Sequence, residues 1–214
     1  MRRFLTAPFV VALVGFLGVA GSAPASAQHV HARQHAGPAI SVFAAGLNNP
    51  RGLTFGPDGN LYVAEGGLGG THSTDPEDFE PDGTWYSMIA IGRALYPMDS
   101  NHGELDRVTQ SGRISRVIDI SASQGHVVPT ALVHRGATYI ANLGLFEATD
   151  QAGDEKVWKL TDHRTLKVRA TGVEKVLGLA FRGDKLYALE MSTNAGGPTP
   201  GTGAIVRVRR HGPP

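Results

Sequence analysis

The fold class is indicated by one stretch, Gly52-Leu53-Thr54-Phe55-Gly56-Pro57-Asp58-Gly59-Asn60-Leu61-Tyr62-Val63-Ala64-Glu65. Two short apolar runs flank a segment that contains Pro-Asp-Gly. Proline fixes φ, aspartate caps the turn through its side chain, and glycine tolerates positive φ, so the segment predicts a turn between two antiparallel strands. The second run contains Tyr62, and an acid, Glu65, follows it three residues later.

The same pattern recurs along the chain, always with an acid or an amide three residues after the tyrosine. Its copies are Tyr62-Val63-Ala64-Glu65, Tyr96-Pro97-Met98-Asp99, Tyr139-Ile140-Ala141-Asn142 and Tyr187-Ala188-Leu189-Glu190. Two of the gaps between tyrosines are 43 and 48 residues, and the first is 34. A repeat of about 40 to 50 residues built from short strands is typical of the blades of a β-propeller.

Aligning the copies by their tyrosines predicts the strands of each unit. The first unit has two strands, the second and third have four each, and the fourth has three. The predicted ranges are 52–55 and 61–65; 85–91, 94–99, 104–108 and 113–118; 129–134, 138–142, 156–160 and 166–170; and 177–181, 185–190 and 204–208.

The strand missing from the fourth unit has a counterpart near the start of the chain. Residues 40–47, followed by 50–55, match residues 166–173, followed by 176–181. We therefore expect the N-terminal strand to pair beside 204–208 and to close the ring, as in β-propellers. The predicted fold is all-β and β-propeller-like, with four-stranded antiparallel blades in an incomplete or small ring.

Three segments are predicted from the order of residue types. Met1-Arg2-Arg3 precedes an apolar run over 4–20 and a small-residue site at Ala25-Ser26-Ala27, which indicates a signal peptide over 1–27. Residues 28–39 read as a flexible leader, and 40–214 as the β-propeller-like domain. The protein is therefore expected to be secreted or extracytoplasmic.

Composition excludes some classes of partner. After cleavage, 18 basic residues would face 19 acidic ones, a net charge of about −1 that does not favour nucleic acid. The chain of 214 residues has no cysteine, so no disulfide or lipidated cysteine is expected. No later run of about 18 apolar residues occurs, and no membrane span is predicted.

Several phrases strongly resemble the ScyD/ScyE family of secreted bacterial proteins. They are 47–67, which begins Leu47-Asn48-Asn49-Pro50-Arg51; 78–88, which contains Phe79-Glu80-Pro81-Asp82-Gly83; Asn101-His102-Gly103-Glu104-Leu105-Asp106-Arg107-Val108; and Pro200-Gly201-Thr202-Gly203. The likeness covers nearly all of 40–214. It implies a propeller related in shape to NHL-repeat, gluconolactonase-like and streptogramin-lyase-like proteins, and it brings no assigned activity.

The chain is shorter than the pattern of that family. Gly69-Gly70-Thr71 is joined to Asp78-Phe79-Glu80 by about half a dozen residues, where family members carry further blades. We interpret this as an internal loss of about two blades. Open edge strands would follow, and such edges favour self-association.

The polar residues after the tyrosines are the candidate site. In a propeller, Glu65, Asp99, Asn142 and Glu190 would ring one end of the axis, where carboxylate and amide oxygens suit calcium or magnesium. His102 and His126 are candidate acid or base groups. In the alternative interpretation the same groups cap strand ends and bind loop amides.

Two functions follow from these interpretations. The first is a secreted binding or interaction scaffold with an unknown small molecule or protein as partner, favoured because no sharp catalytic motif occurs. The second is a lactonase or lyase assisted by a divalent metal ion at the axis. The sequence does not decide whether the protein is an enzyme, and it names no cofactor beyond these two ions.

Overall fold

A computed structural model describes residues 43–66, 83–145, 155–162, 164–194 and 198–209. The chain divides into two units, Met1–Gly46 and Leu47–Pro214. The described residues of the first unit, 43–46, contain no helix or strand. All the strands given below belong to the second unit.

The described residues form β-strands and one single-turn helix, α1, at Ser121–Gln124. The strands agree with the predicted ones to within a few residues at each end. They are β1 Pro50–Phe55, β2 Leu61–Glu65, β3 Trp85–Ile91, β4 Ala94–Asp99, β5 Glu104–Thr109, β6 Ile114–Asp119, β7 Pro129–His134, β8 Thr138–Asn142, β9 Glu155–Thr161, β10 Thr165–Val173, β11 Val176–Arg182, β12 Lys185–Glu190 and β13 Ala204–Val208.

The strands form four antiparallel sheets, one for each predicted unit. Their orders are β1-β2, β3-β4-β5-β6, β7-β8-β9-β10 and β11-β12-β13, so each sheet is a meander of consecutive strands. The first strands of successive sheets contact one another, β1 with β3, β3 with β7 and β7 with β11. This arrangement of four-stranded meanders is β-propeller-like.

The first strand of every sheet carries the same irregularity. A register shift interrupts each pairing just after its first residue, and a small residue then pairs with the residue two places after the tyrosine. The four pairs are Gly52–Ala64, Ser87–Met98, Ala131–Ala141 and Gly178–Leu189. A repeated bulge at one position shows that the four units are structurally equivalent.

The small residue allows two sheets to approach closely. A Cβ added to Gly52 would lie 2.9 Å from the Tyr86 carbonyl oxygen and 3.0 Å from the Ser87 Cα. The backbone of β1 therefore packs directly on β3, and a larger residue at position 52 would separate the sheets.

Two apolar clusters fill the spaces between neighbouring sheets. One lies between the second and third sheets and is centred on Met98, Leu105, Ile140 and Trp158. The other lies between the third and fourth sheets and includes Ala141, Val157, Val176 and Leu186. Each cluster draws residues from two sheets, so burial between sheets stabilises the arrangement.

The predicted closing strand is not found in the described part of the chain. Residues 43–49 are not in a strand, and β13 pairs with β12 alone among the described strands. The backbone at Gly46 and Asn49 is left-handed, with φ of 76° and 51°, as it is at the equivalent Gly172 and Lys175, and Gly172 lies within β10. Residues 40–42 lie outside the described part, and a closed ring is not shown.

Two further expectations fall on residues that are not described. The shortened join between the first and second sheets lies in 67–82, and the predicted signal peptide and leader lie in 1–39. Among the residues that are described, no helix has the length and apolar character needed to cross a membrane.

Candidate functional site

The four candidate ligands occupy equivalent places in the four sheets. Each is the last residue of the second strand, and each pairs with the first residue of the first strand. The pairs are Glu65–Pro50, Asp99–Trp85, Asn142–Pro129 and Glu190–Val176. The sequence pattern therefore located one repeated structural position correctly.

Each of these side chains accepts a hydrogen bond from a backbone N–H. Three of the donors lie just before the first strand of the same sheet, and the fourth lies in β9. The bonds are Asn48 N to Glu65 Oε1 at 3.1 Å, Thr84 N to Asp99 Oδ1 at 2.8 Å, Glu174 N to Glu190 Oε1 at 3.0 Å and Lys156 N to Asn142 Oδ1 at 2.8 Å. This is the role that the alternative interpretation gave them, because a buried or half-buried N–H needs a partner.

The loops before the first, third and fourth sheets share a second feature. Asn49, Val128 and Lys175 all have positive φ, between 41° and 51°. Each of their carbonyls accepts the N–H of the residue that follows the candidate ligand, at 2.9 to 3.1 Å. Left-handed backbone is costly for valine and lysine, so the fold holds these loops in place against local strain.

His102 is joined to Asp99. The backbone N–H of His102 donates to Asp99 Oδ1 at 3.1 Å, and the ring atom Nδ1 of His102 lies 3.6 Å from Asp99 Oδ2. Both residues are buried. A histidine held by a carboxylate is an arrangement that can hold or move a proton.

His126 lies away from this pair. It is half-buried in the segment between α1 and β7, which leads into the third sheet. The structure thus brings one of the two candidate histidines to a candidate carboxylate, and His126 is not part of that pair.

A buried charge pair beside Glu190 was not predicted from the sequence. Lys175 Nζ lies 3.1 Å from Glu155 Oε1 and donates to the Leu145 carbonyl at 2.6 Å, with Lys175 and Glu155 both buried. Glu155 opens β9 and Lys175 precedes β11, so the pair joins the third sheet to the fourth. Twenty residues of sequence separate them, and no local spacing signals such a contact.

Burial raises the pKa of Glu190, and the nearby Glu155 carboxylate raises it further, while the hydrogen bond from the Glu174 N–H opposes both effects. A carboxyl with a raised pKa accepts a proton more readily than an exposed one. The surroundings of Glu190 therefore disfavour its negatively charged form.

The described residues do not assemble a metal centre. No group of three or more histidine, aspartate or glutamate side chains among them is close enough to hold an ion. Asn142, Glu190 and their counterparts lie in different sheets, and each accepts a backbone N–H of its own sheet or of the loop before it. The predicted calcium or magnesium site stays a prediction.

A cleft of about 260 Å³ lies between β10 and β13. It is lined by 170–173 and 206–209, which include no histidine or acid. None of the candidate site residues lines it, so the cleft adds nothing to that site.

Comparison with known proteins supports the fold. No family profile and no curated protein matches the sequence. A virginiamycin B lyase from Staphylococcus aureus matches in structure with a TM-score of 0.51 and 11% identity, over 75% of this chain and 55% of that one. A nidogen/laminin complex matches with a TM-score of 0.48 and 16% identity, over 67% of this chain and 57% of that one.

The likeness to the lyase places the chain in the β-propeller fold class. At such low identity the similarity to the lyase concerns the fold alone. The chain spans little more than half the length of the solved structures that it matches.

Proposed function

We propose that this chain is a secreted β-propeller-type scaffold of the ScyD/ScyE kind, which acts by binding another protein. The observation that carries the proposal is the exposed apolar face of the first sheet. Leu53 is 69% exposed and Phe55 67% exposed, and Leu61 adds to the same face. Exposed apolar side chains that cluster on one face are typical of a surface that contacts a partner.

The fourth sheet supports this interpretation of the first. Leu179, Phe181 and Leu186 occupy the positions of Leu53, Phe55 and Leu61, as the strand registers show. In the fourth sheet these side chains pack against the third sheet. The exposed face therefore has the residues of a contact surface.

The hydrogen bonds at the ends of the second strands also support the role of a scaffold. All four candidate ligands accept backbone N–H groups, so their oxygen atoms serve to fix the backbone, three of them in the loops before the sheets and Asn142 in β9. Side chains committed in this way stabilise the frame on which a binding surface is presented.

Photo-crosslinking in the secreting cell tests the proposal. In one variant a photoreactive phenylalanine analogue would replace Phe55. In the control variant the same analogue would replace Val168, which lies on β10 and is 52% exposed. We expect a discrete adduct from position 55 and none from position 168. Equal, diffuse labelling at both positions, or no adduct at all, would contradict the proposed role.

A metal-assisted lactonase or lyase is the second candidate. The pair of His102 and Asp99 favours it, because the two buried side chains provide a group that can move a proton. A thermal melt with EDTA and with added calcium or magnesium tests the metal requirement. A rise in Tm with either ion would favour this candidate, and an unchanged Tm would count against it.

A further inference from the structure

The contact between the third and fourth sheets contains a well-defined site for one phenylalanine. The Phe181 ring meets the edge of Tyr139 with centroids 5.4 Å apart and planes at 69°. The Arg135 guanidinium carbon lies 5.4 Å from the centroid of the same ring. An edge-to-face aromatic pair and a cation–π contact together favour an aromatic side chain at this position.

The fourth sheet repeats this site on its other face. Tyr139 pairs with Val133, and Tyr187 pairs with Ala180, at the same place in the repeat. Arg135 and Arg182 each lie two residues beyond those partners. Tyr187 and Arg182 therefore correspond to the tyrosine and arginine that hold Phe181.

The surroundings of Tyr187 on that face are apolar and exposed. Leu189 is 47% exposed and Ile205 75% exposed, and the two residues pair with each other across β12 and β13. A Cβ added to Gly178 would meet only Leu189 of its own sheet, whereas the equivalent Gly52 lies against the next sheet. This face has the features of a contact between sheets, without a described sheet against it.

Phe55 is the side chain that fits the repeated site. It pairs with Leu61 as Phe181 pairs with Leu186, so the two phenylalanines are equivalent. Phe181 packs in its site, whereas Phe55 is largely exposed. The exposed phenylalanine and the tyrosine–arginine site, which no described sheet covers, lie on the first and the fourth sheet of one chain.

We propose that Phe55 of one copy of this chain enters the site formed by Tyr187 and Arg182 of a second copy. The contact is head-to-tail, and it repeats the packing of the third sheet on the fourth. The inference rests on the proposed binding role and names its partner. The sequence led us to expect self-association through open edge strands. The contact proposed here is instead between the faces of two sheets.

The charges at the turns agree with this pairing. The hydroxyl of Tyr62 donates to Asp58 in the β1–β2 turn and, with the Asn60 backbone N–H, lowers the pKa of Asp58, so that the carboxylate is charged at neutral pH. The corresponding end of the fourth sheet carries Arg182, Lys185 and Arg207, against the single acid Asp184. Opposite charges at matching ends of two faces favour this orientation over its reverse.

Sedimentation velocity of the chain from residue 28 onward tests the proposal. The first variant, Phe55→Asp, alters the face of the first sheet, and the second, Arg182→Glu with Ile205→Asp, alters the face of the fourth. Val168→Asp is the matched control, because it places the same charge on an exposed apolar position of β10. We expect the wild-type and control chains to sediment at twice the chain mass or more, and each face variant to sediment as a monomer.

Mixing the two face variants separates a head-to-tail contact from a symmetric one. Each variant keeps the face that the other has lost, so an equimolar mixture should form a two-chain species although neither variant does so alone. Thermal melts that match the wild type at high dilution would show that the variants fold. A monomeric wild-type chain, or a mixture that stays monomeric, would overturn the proposal.

The two proposals can fail separately. A monomeric wild-type chain that still yields an adduct with a different protein from position 55 would remove the self-association and leave the binding role. The absence of both the adduct and the two-chain species would remove both.

Discussion

The first and the fourth sheets carry the same apolar side chains in different surroundings. Phe181 and Leu186 are packed against the third sheet, whereas Phe55 and Leu61 face outward from the first. Because the registers are equivalent, the difference comes from the presence of a preceding sheet and not from the sequence of the repeat. The contrast shows that the first sheet contains the residues for a neighbour although no described sheet lies against that face.

The largest expected effect concerns the loop before each of these two sheets. Lys175 and Asn49 both have positive φ, but Lys175 is buried against Glu155 while Asn49 is exposed. Lys175→Asn keeps a side chain that tolerates this backbone and removes the charge partner of a buried carboxylate. We expect a loss of about 3 to 5 kcal/mol in the free energy of unfolding.

Urea unfolding of Lys175→Asn would measure this loss, with Lys185→Asn, at the exposed first residue of β12, as its control. The control should change the free energy of unfolding by less than about 0.5 kcal/mol. Adding Glu155→Gln to Lys175→Asn should recover part of the stability, since no unpaired carboxylate then remains buried. A loss equal to that of the control would show that the buried pair contributes nothing.

The next effect compares the two phenylalanines directly. Phe181→Ala removes a ring that contacts Tyr139 and Arg135, and we expect it to cost about 2 kcal/mol. Phe55→Ala should change the free energy of unfolding by less than about 0.5 kcal/mol when the chain is dilute enough to be monomeric. Equal losses in urea unfolding would mean that Phe55 is covered within the single chain.

The smallest effect is the pH dependence of stability at the ends of the second strands. The pKa of Glu190 is raised above its ordinary value of 4.5, so its contribution to stability is fully present below about pH 4.5 and is lost as the pH rises through the raised value. Glu190→Gln keeps an oxygen acceptor for the Glu174 N–H and cannot ionise. The variant should therefore gain stability relative to the wild type as the pH rises from 4.5.

Thermal melts across this range would follow the difference between the two chains. A constant difference between wild type and Glu190→Gln at every pH would contradict the role of burial at Glu190.

The repeated tyrosine pattern made the strands and their grouping into sheets predictable. Tyrosine, the turn residues and the alternating apolar runs depend on local sequence, and the observed strands follow them closely. The pattern also placed Glu65, Asp99, Asn142 and Glu190 at one equivalent position. Local patterns are sufficient where the structure is a repeat of local units.

The predictions failed or stopped where the structure depends on distant residues. The likeness of residues 40–47 to 166–173 indicated a closing strand, but the described residues 43–47 form none, although Gly46 has the left-handed backbone that Gly172 has within β10. The strand β10 forms where it pairs with β9, a contact that the likeness of the two segments does not show. The pairing of Lys175 with Glu155 joins two sheets and leaves no spacing to detect. Residue type alone also left open whether the four polar side chains bind an ion or backbone amides.

The most direct test of the account is a crosslink between two copies of the chain. Asn60→Cys and Asp184→Cys, in the exposed turns at the matching ends of the two faces, would each be made in this cysteine-free chain, one of them carrying a tag, and treated with a short bismaleimide. The account predicts that the mixture gives mainly the crosslinked pair of unlike chains, and that each variant alone gives little. Equal amounts of like and unlike pairs, or no crosslinked pair, would contradict it.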